Sequence, residues 1–182
     1  MPPDRDDILR FMTTIYIARH GQNEDNARGI LNGHRDLPLT DLGRQQARQL
    51  ARHIKDRELV FDAVYASPLD RAFETAAIVA TALGLAEPIV HDDLIERDFG
   101  IMTGKLAADI EEICAPDIIK AENVTYFLHP DGAETFPELL ARRYWQNDIC
   151  CGNQHAMAAG LNRFLLWQYG YYRSSGRTLN VI

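Results

Sequence analysis

Residues Thr13 to Ala18 (TTIYIA) form an apolar run rich in β-branched side chains that stops abruptly at Arg19-His20-Gly21. A run of this kind ending at glycine reads as a buried strand entering a loop. In α/β sheets, ligands collect at the C-terminal ends of the strands. Arginine offers a rigid fork of donors suited to phosphate or carboxylate. Imidazole titrates near neutrality and can act as nucleophile, base or metal ligand. Gly21 permits a sharp turn and close approach of the backbone, and Asn23 and Asn26 add short polar donors. The cluster asks for an anion, although taken alone it also fits a loop histidine beside a surface ion pair.

At 182 residues the chain is read as a single domain, with residues 1–12 as a flexible extension and 139–182 as a divergent tail. A net charge of -7 argues against nucleic acid as a partner. No apolar run approaches about 18 residues and no signal pattern opens the chain, so a cytoplasmic protein without membrane contact is expected. Cys114, Cys150 and Cys151 are odd in number and two are adjacent, which suits a reducing compartment better than a disulfide framework. Zinc-ligand spacing, a P-loop and a dinucleotide fingerprint are all absent from the sequence.

Along the chain, Leu31 to Leu39 is rich in turn formers and reads as irregular. Thr40 to Arg57 carries Leu42, Ala47, Leu50, Ala51 and Ile54 at helical spacing, with Thr40 or Asp41 as N-cap. Phe61 to Ala66 is a second strand. Ser67 is expected to cap the next helix with Pro68 in its first position, which brings Arg71 into the first turn beyond a strand end. That helix buries Ala72, Ala76, Ala77, Ile78, Val79 and Leu83 and ends near Gly84. A short strand at Glu87 to Val90 leads into an acid-rich segment containing Glu96, either a solvated acidic loop or a source of a general acid. Lys105 to Cys114 looks helical, Ala115 to Asp131 fits neither template, and a helix is expected from about Glu134 to Tyr144. Met157, Leu161, Phe164, Leu165 and Tyr169 have the spacing of a final helix.

Taken in order, these segments resemble the histidine phosphatase superfamily in its phosphoglycerate-mutase-like branch. The matching blocks are Arg19-His20-Gly21-Gln22-x-x-x-Asn26; Gly33-x-x-Asp36-x-Pro38-Leu39-Thr40-x-x-Gly43-x-Gln45-Gln46-Ala47; and Ser67-Pro68-Leu69-x-Arg71-Ala72-x-Glu74-Thr75-Ala76. Glu96-Arg97-x-Phe99-Gly100-x-x-x-Gly104 and Pro130-Asp131-Gly132-Ala133-Glu134 extend them. The likeness covers residues 13 to 138. It implies a three-layer α/β/α sandwich with a mostly parallel central sheet, complete or cut short at the C-terminus.

The resemblance also implies a phosphohistidine mechanism. His20 would attack the phosphoryl group in line while Arg19, Asn26 and Arg71 hold its oxygens. Glu96 would protonate the leaving alcohol and then activate water. A second histidine normally completes the pocket. No metal or other cofactor is implied, because arginines and imidazolium supply the positive charge. The expected activity is hydrolysis of small phosphomonoesters, with a phosphorylated metabolite as the partner. The alternatives are a phosphoglycerate-type mutase and a catalytically impaired relative that binds phosphorylated ligands.

The tail departs from the pattern. After Glu138 the family runs through a helix to a strongly apolar strand ending in Ser/Thr-His-Gly, whereas here His155 follows Cys150-Cys151-Gly152-Asn153-Gln154. Leu139 to Ile182 holds five arginines and a single acid, Asp148, in an otherwise acidic chain. Two readings stay open. Either the tail has a different origin, such as an altered reading frame or a spliced end, or His155 is the second pocket histidine in a divergent setting.

Overall fold

The computed structural model describes residues 14–121, 124–142, 155–159 and 178–181. Its strands are β1 (Thr14–Ala18), β2 (Ala63–Ala66), β3 (Ile89–Val90), β4 (Ile118–Ala121), β5 (Val124–Phe127), β6 (His155–Ala159) and β7 (Thr178–Val181). Five of them form a parallel sheet in the order β3-β2-β6-β1-β7. The helices are α1 (Glu24–Arg28), α2 (Asp41–Asp56), α3 (Asp70–Leu83), α4 (Ile110–Cys114) and α5 (Phe136–Arg142). Among the described residues, no helix is long and apolar enough to cross a membrane.

The buried positions of α2 are Gly43, Ala47, Ala51 and Ile54, so small side chains face its neighbour. Helix α3 answers with Ala72, Thr75, Ala76, Val79 and Ala80. Ile54, Phe61, Val64, Ala66, Val79 and Met157 close the core between this pair and one face of the sheet. Tyr16 meets Phe61 edge to face at 5.1 Å in the same layer. On the opposite face of β1, Ile15 and Ile17 are only 4% and 1% exposed, so both faces of the strand are covered. That is the arrangement of a parallel sheet inside an α/β sandwich.

The structure departs from the sequence expectations in several places. Helix α3 starts at Asp70 rather than Pro68. Ser67 Oγ accepts from the Leu69 amide, and the Asp70 amide is capped by Asp36 Oδ2 at 2.7 Å from a distant loop. Leu42 is half exposed, because α2 turns Gly43 toward the nucleophile loop instead. The ambiguous 115–131 segment contains the antiparallel hairpin β4–β5, packed through Phe127 on Phe99, Met102, Ile110 and Cys114. Met157 belongs to β6 and is fully buried, not on a helix. Residues 1–12 and the rest of the expected final helix, Leu161 to Tyr169, lie outside the described residues.

The compositional break at Leu139 is not a structural break. Leu139 is buried within α5, which continues to Arg142. Further on, β6 inserts between β1 and β2, and β7 pairs with the other edge of β1.

Candidate active site

Strand β1 delivers His20 to the C-terminal edge of the sheet, where packing and hydrogen bonds determine the loop conformation. The Gly21 amide donates to Thr75 Oγ1 at 3.0 Å, and the Thr75 hydroxyl donates to the Arg71 carbonyl at 2.7 Å. The Gln22 amide donates to Gln46 Oε1, and the Gln22 carbonyl accepts from the Thr40 amide. Gly21 and Gly43 press backbone on backbone: a Cβ on Gly43 would stand 2.1 Å from the Gln22 carbonyl oxygen. Only two glycines allow the loop to sit this close to the first turn of α2.

His20 Nδ1 lies 2.7 Å from the Gly21 carbonyl oxygen. A carbonyl can only accept, so Nδ1 carries the proton and Nε2 keeps its lone pair. Burial lowers the pKa of His20 to about 4. The carbonyl hydrogen bond opposes that shift, and the charges of Arg71 and Arg19 reinforce it. At neutral pH the ring is therefore an uncharged imidazole with a defined tautomer, the form a nucleophile requires.

Arg71 is 1% exposed and donates from Nε to His20 Nε2 at 3.3 Å. Its Nη1 donates to the Arg35 carbonyl at 2.5 Å and its Nη2 to the Gly33 carbonyl at 3.0 Å. These bonds commit three of its five N–H groups. Asp36, whose other oxygen caps α3, stands 3.7 Å from Nη1. Burial lowers the Arg71 pKa, opposed by the charges of Glu96, Asp36 and Asp25. The loop supplying both carbonyls is anchored by Arg35 on the fully buried Asp25, at 2.8 Å, and by a side-chain bond from Asn23 to Asn32. Gly33 has φ of +50°, and a Cβ there would meet Thr103 Oγ1 at 2.8 Å.

The structure gathers most of the expected residues and separates others. His20 and Arg71 touch; exposed Arg19 lies close enough for its charge to act on both; half-buried Glu96 is the first carboxylate to act on Arg71. The backbone of Glu96 is fixed, its carbonyl accepting from His34 Nε2 at 2.7 Å. Next to it, Arg97 is buried between Phe127 and Phe136, with its carbon 4.7 and 4.3 Å from the ring centres, and donates to the carbonyls of Glu134, Phe127 and Leu128. Asn26 is held in a capping box with Asn23 at the start of α1: its amide donates to Asn23 Oδ1, and its own Oδ1 accepts from the Asn23 amide.

His155 is not brought to this site. The register pairs His155 with Thr14 and Ala159 with Ala18, so His155 begins β6 while His20 lies just beyond the opposite end. Four residues of strand separate those ends by roughly 13 Å. At the end near His20, β6 finishes in Ala159, followed in sequence by Gly160 and Leu161. Sequence reading also passed over Asp36, Thr75 and His34 as individual groups. The i, i+4 spacing of Arg71 and Thr75 was the one signal present, since a helical threonine hydroxyl can reach the carbonyl one turn back.

A parallel α/β sheet with a half-buried histidine and a buried arginine at the C-terminal edge of its strands is the arrangement of a phosphoglycerate-mutase-like protein. Residues 15–146 match the profile of the histidine phosphatase superfamily (branch 1), and the chain belongs to that superfamily. It is 35% identical over 133 residues to a 2,3-bisphosphoglycerate-dependent phosphoglycerate mutase of Rhizobium etli, covering 72% of this chain and 64% of that protein. With phosphoglycerate mutase-like protein 4 of Arabidopsis thaliana it shares 38% identity over 130 residues, 70% of this chain and 56% of the other. The chain thus spans less than two thirds of the length of these curated relatives. Among solved structures, YhfR of Bacillus stearothermophilus superposes with a TM-score of 0.68 at 25% identity, over 88% of this chain and 80% of that one. An alpha-ribazole phosphatase from Shigella flexneri shares the fold, with a TM-score of 0.66 at 24% identity over 86% and 78% of the two chains.

Proposed function

We propose that this protein is a phosphatase that hydrolyses small phosphomonoesters through a covalent phosphohistidine on His20. The observation that carries this reading is the placing of His20 Nδ1 against the Gly21 carbonyl, which leaves Nε2 as the free ring nitrogen beside the buried Arg71 fork. On arrival of a phosphomonoester, Arg71 Nε transfers its hydrogen bond from His20 Nε2 to a phosphoryl oxygen. The same movement places positive charge on the anion and releases the lone pair for in-line attack. Arg19 adds charge from the solvent side. Glu96 gives its proton to the leaving oxygen, and as a carboxylate then takes a proton from the water that cleaves the N–P bond. The group set needs no metal ion.

Hydrolysis is favoured over a mutase reaction by charge. Between Gly104 and Pro130 the chain has five acids, Asp109, Glu111, Glu112, Asp117 and Glu122, against Lys105 and Lys120, and no arginine. The Leu31 amide donates to the Lys105 carbonyl at 2.8 Å, tying the start of this insert to the loop that holds Gly33 and Arg35. Added negative charge there suits a substrate with one phosphate better than one with several anionic groups. A second reading, a relative that binds phosphorylated ligands without turning them over, is favoured by one observation: His155 stands at the wrong end of β6 to complete the pocket. Incubation with para-nitrophenyl phosphate, with and without EDTA, separates the two. EDTA-resistant turnover lost in His20→Ala supports the phosphatase. Tight vanadate binding without turnover supports the binding protein.

A further inference from the structure

The segment carrying Glu96 is fastened by a residue outside every sequence block that pointed to the site. Arg142, in the last turn of α5, donates from Nη1 to the Asp93 carbonyl at 2.8 Å. Its Nη2 serves the carbonyls of Ile95 at 3.0 Å and Glu96 at 3.1 Å. Both oxygens of Glu134 hold the same guanidinium, Oε1 through Nε and Oε2 through Nη2. The Arg142 and Glu134 side chains are only 23% and 14% exposed, so this is a largely desolvated ion pair whose further hydrogen bonds all go to one turn of backbone.

We propose that Arg142, oriented by Glu134, is a positioning residue for Glu96. It ties the 93–96 turn to α5 and so sets where the Glu96 carboxyl lies relative to the leaving oxygen. The proposal rests on the reading of Glu96 as the acid of the reaction. A planar fork is required because three carbonyls and a carboxylate surround one side-chain head; an ammonium group has three donors and no fixed plane. Removing the fork frees the turn by a fraction of an ångström or more, and proton transfer is sensitive to displacement on that scale. Arg142 itself contacts none of His20, Arg19 or Arg71 in the bonds described, so its effect runs through Glu96.

The test compares leaving groups. Para-nitrophenolate departs without a proton, whereas an alkyl alkoxide needs one, so a displaced acid harms alkyl phosphates selectively. Wild type, Arg142→Lys, Glu134→Gln and Glu96→Gln are assayed with para-nitrophenyl phosphate and an alkyl monophosphate, after thermal melting identifies which variants fold. The proposal expects Arg142→Lys to lose about 10- to 100-fold in kcat/KM on the alkyl ester and less than about 3-fold on the aryl ester. Glu134→Gln, which keeps the shape of the pair, is expected to show the same selectivity at smaller size. Equal losses on both esters, or none, overturn the positioning role. If Glu96→Gln itself shows no leaving-group selectivity, the assignment of Glu96 as the acid fails, and the role of Arg142 falls with it.

Discussion

Arg71 Nε stands 3.3 Å from His20 Nε2 and donates to it, so the group that would bind the phosphate also occupies the lone pair that would attack it. Opening of that bond by an incoming anion couples substrate binding to release of the nucleophile. Arg71→Lys keeps the charge but loses the fork that spans His20 and the Gly33 and Arg35 carbonyls. A fall of about 100-fold or more in kcat/KM for para-nitrophenyl phosphate is expected, together with weaker vanadate binding. Unchanged vanadate affinity would remove Arg71 from the anion site.

The low pKa of His20 makes stability depend on pH. The folded value of about 4 lies below the ordinary 6.5, so the unfolded chain binds the extra proton first as pH falls. Stability from this group is complete above about 6.5 and is lost progressively as pH drops toward 4, by up to roughly 3 kcal/mol. Urea unfolding of wild type and His20→Gln at pH 7 and pH 4.5 checks it. The wild type should lose more stability between the two pH values than the variant; equal losses would mean His20 is not held neutral.

Thr75 joins the helix carrying Arg71 to the loop carrying His20, because its one hydroxyl accepts from the Gly21 amide and donates to the Arg71 carbonyl. Thr75→Val keeps the volume and leaves a buried amide without its partner, at a cost of about 1–3 kcal/mol. Thr75→Ser should recover most of that in urea unfolding. A Val variant as stable as wild type would show the link to be dispensable.

A methyl group at Gly43 has no room. Its Cβ would fall 2.1 Å from the Gln22 carbonyl, and the obstacle is backbone rather than a mobile side chain. Gly43→Ala should destabilise by about 3 kcal/mol and displace the nucleophile loop, lowering turnover well beyond what the loss of folded protein accounts for. Full activity per folded molecule would contradict this account of the loop.

Legibility in the sequence followed the range of the forces involved. Strand β1, helix α2 with its Thr40 cap, and the placing of Arg71 beyond a strand end depend on neighbours within a few residues, and local pattern carried them. The cap of α3 comes from Asp36, 34 residues away, so the nearer Ser67 looked sufficient. Asn26 looked like a free donor, whereas its backbone and carbonyl oxygen serve the box that starts α1. Nothing near Arg97 in the sequence marks it as buried, because its π contacts come from Phe127 and Phe136, in a hairpin and a helix distant along the chain. For His155 the sequence already lacked the apolar strand expected before the histidine. The strand follows the histidine instead of preceding it, which moves the residue to the far end of the sheet.

The central claim is that His20 becomes phosphorylated. The direct measurement is rapid acid-free denaturation of the enzyme during turnover of a radiolabelled phosphomonoester, followed by peptide mapping. The account predicts one phosphoryl group per chain on His20, labile to acid and stable to alkali, and absent from His20→Ala. Turnover without any label on His20, or label on another residue, would contradict it.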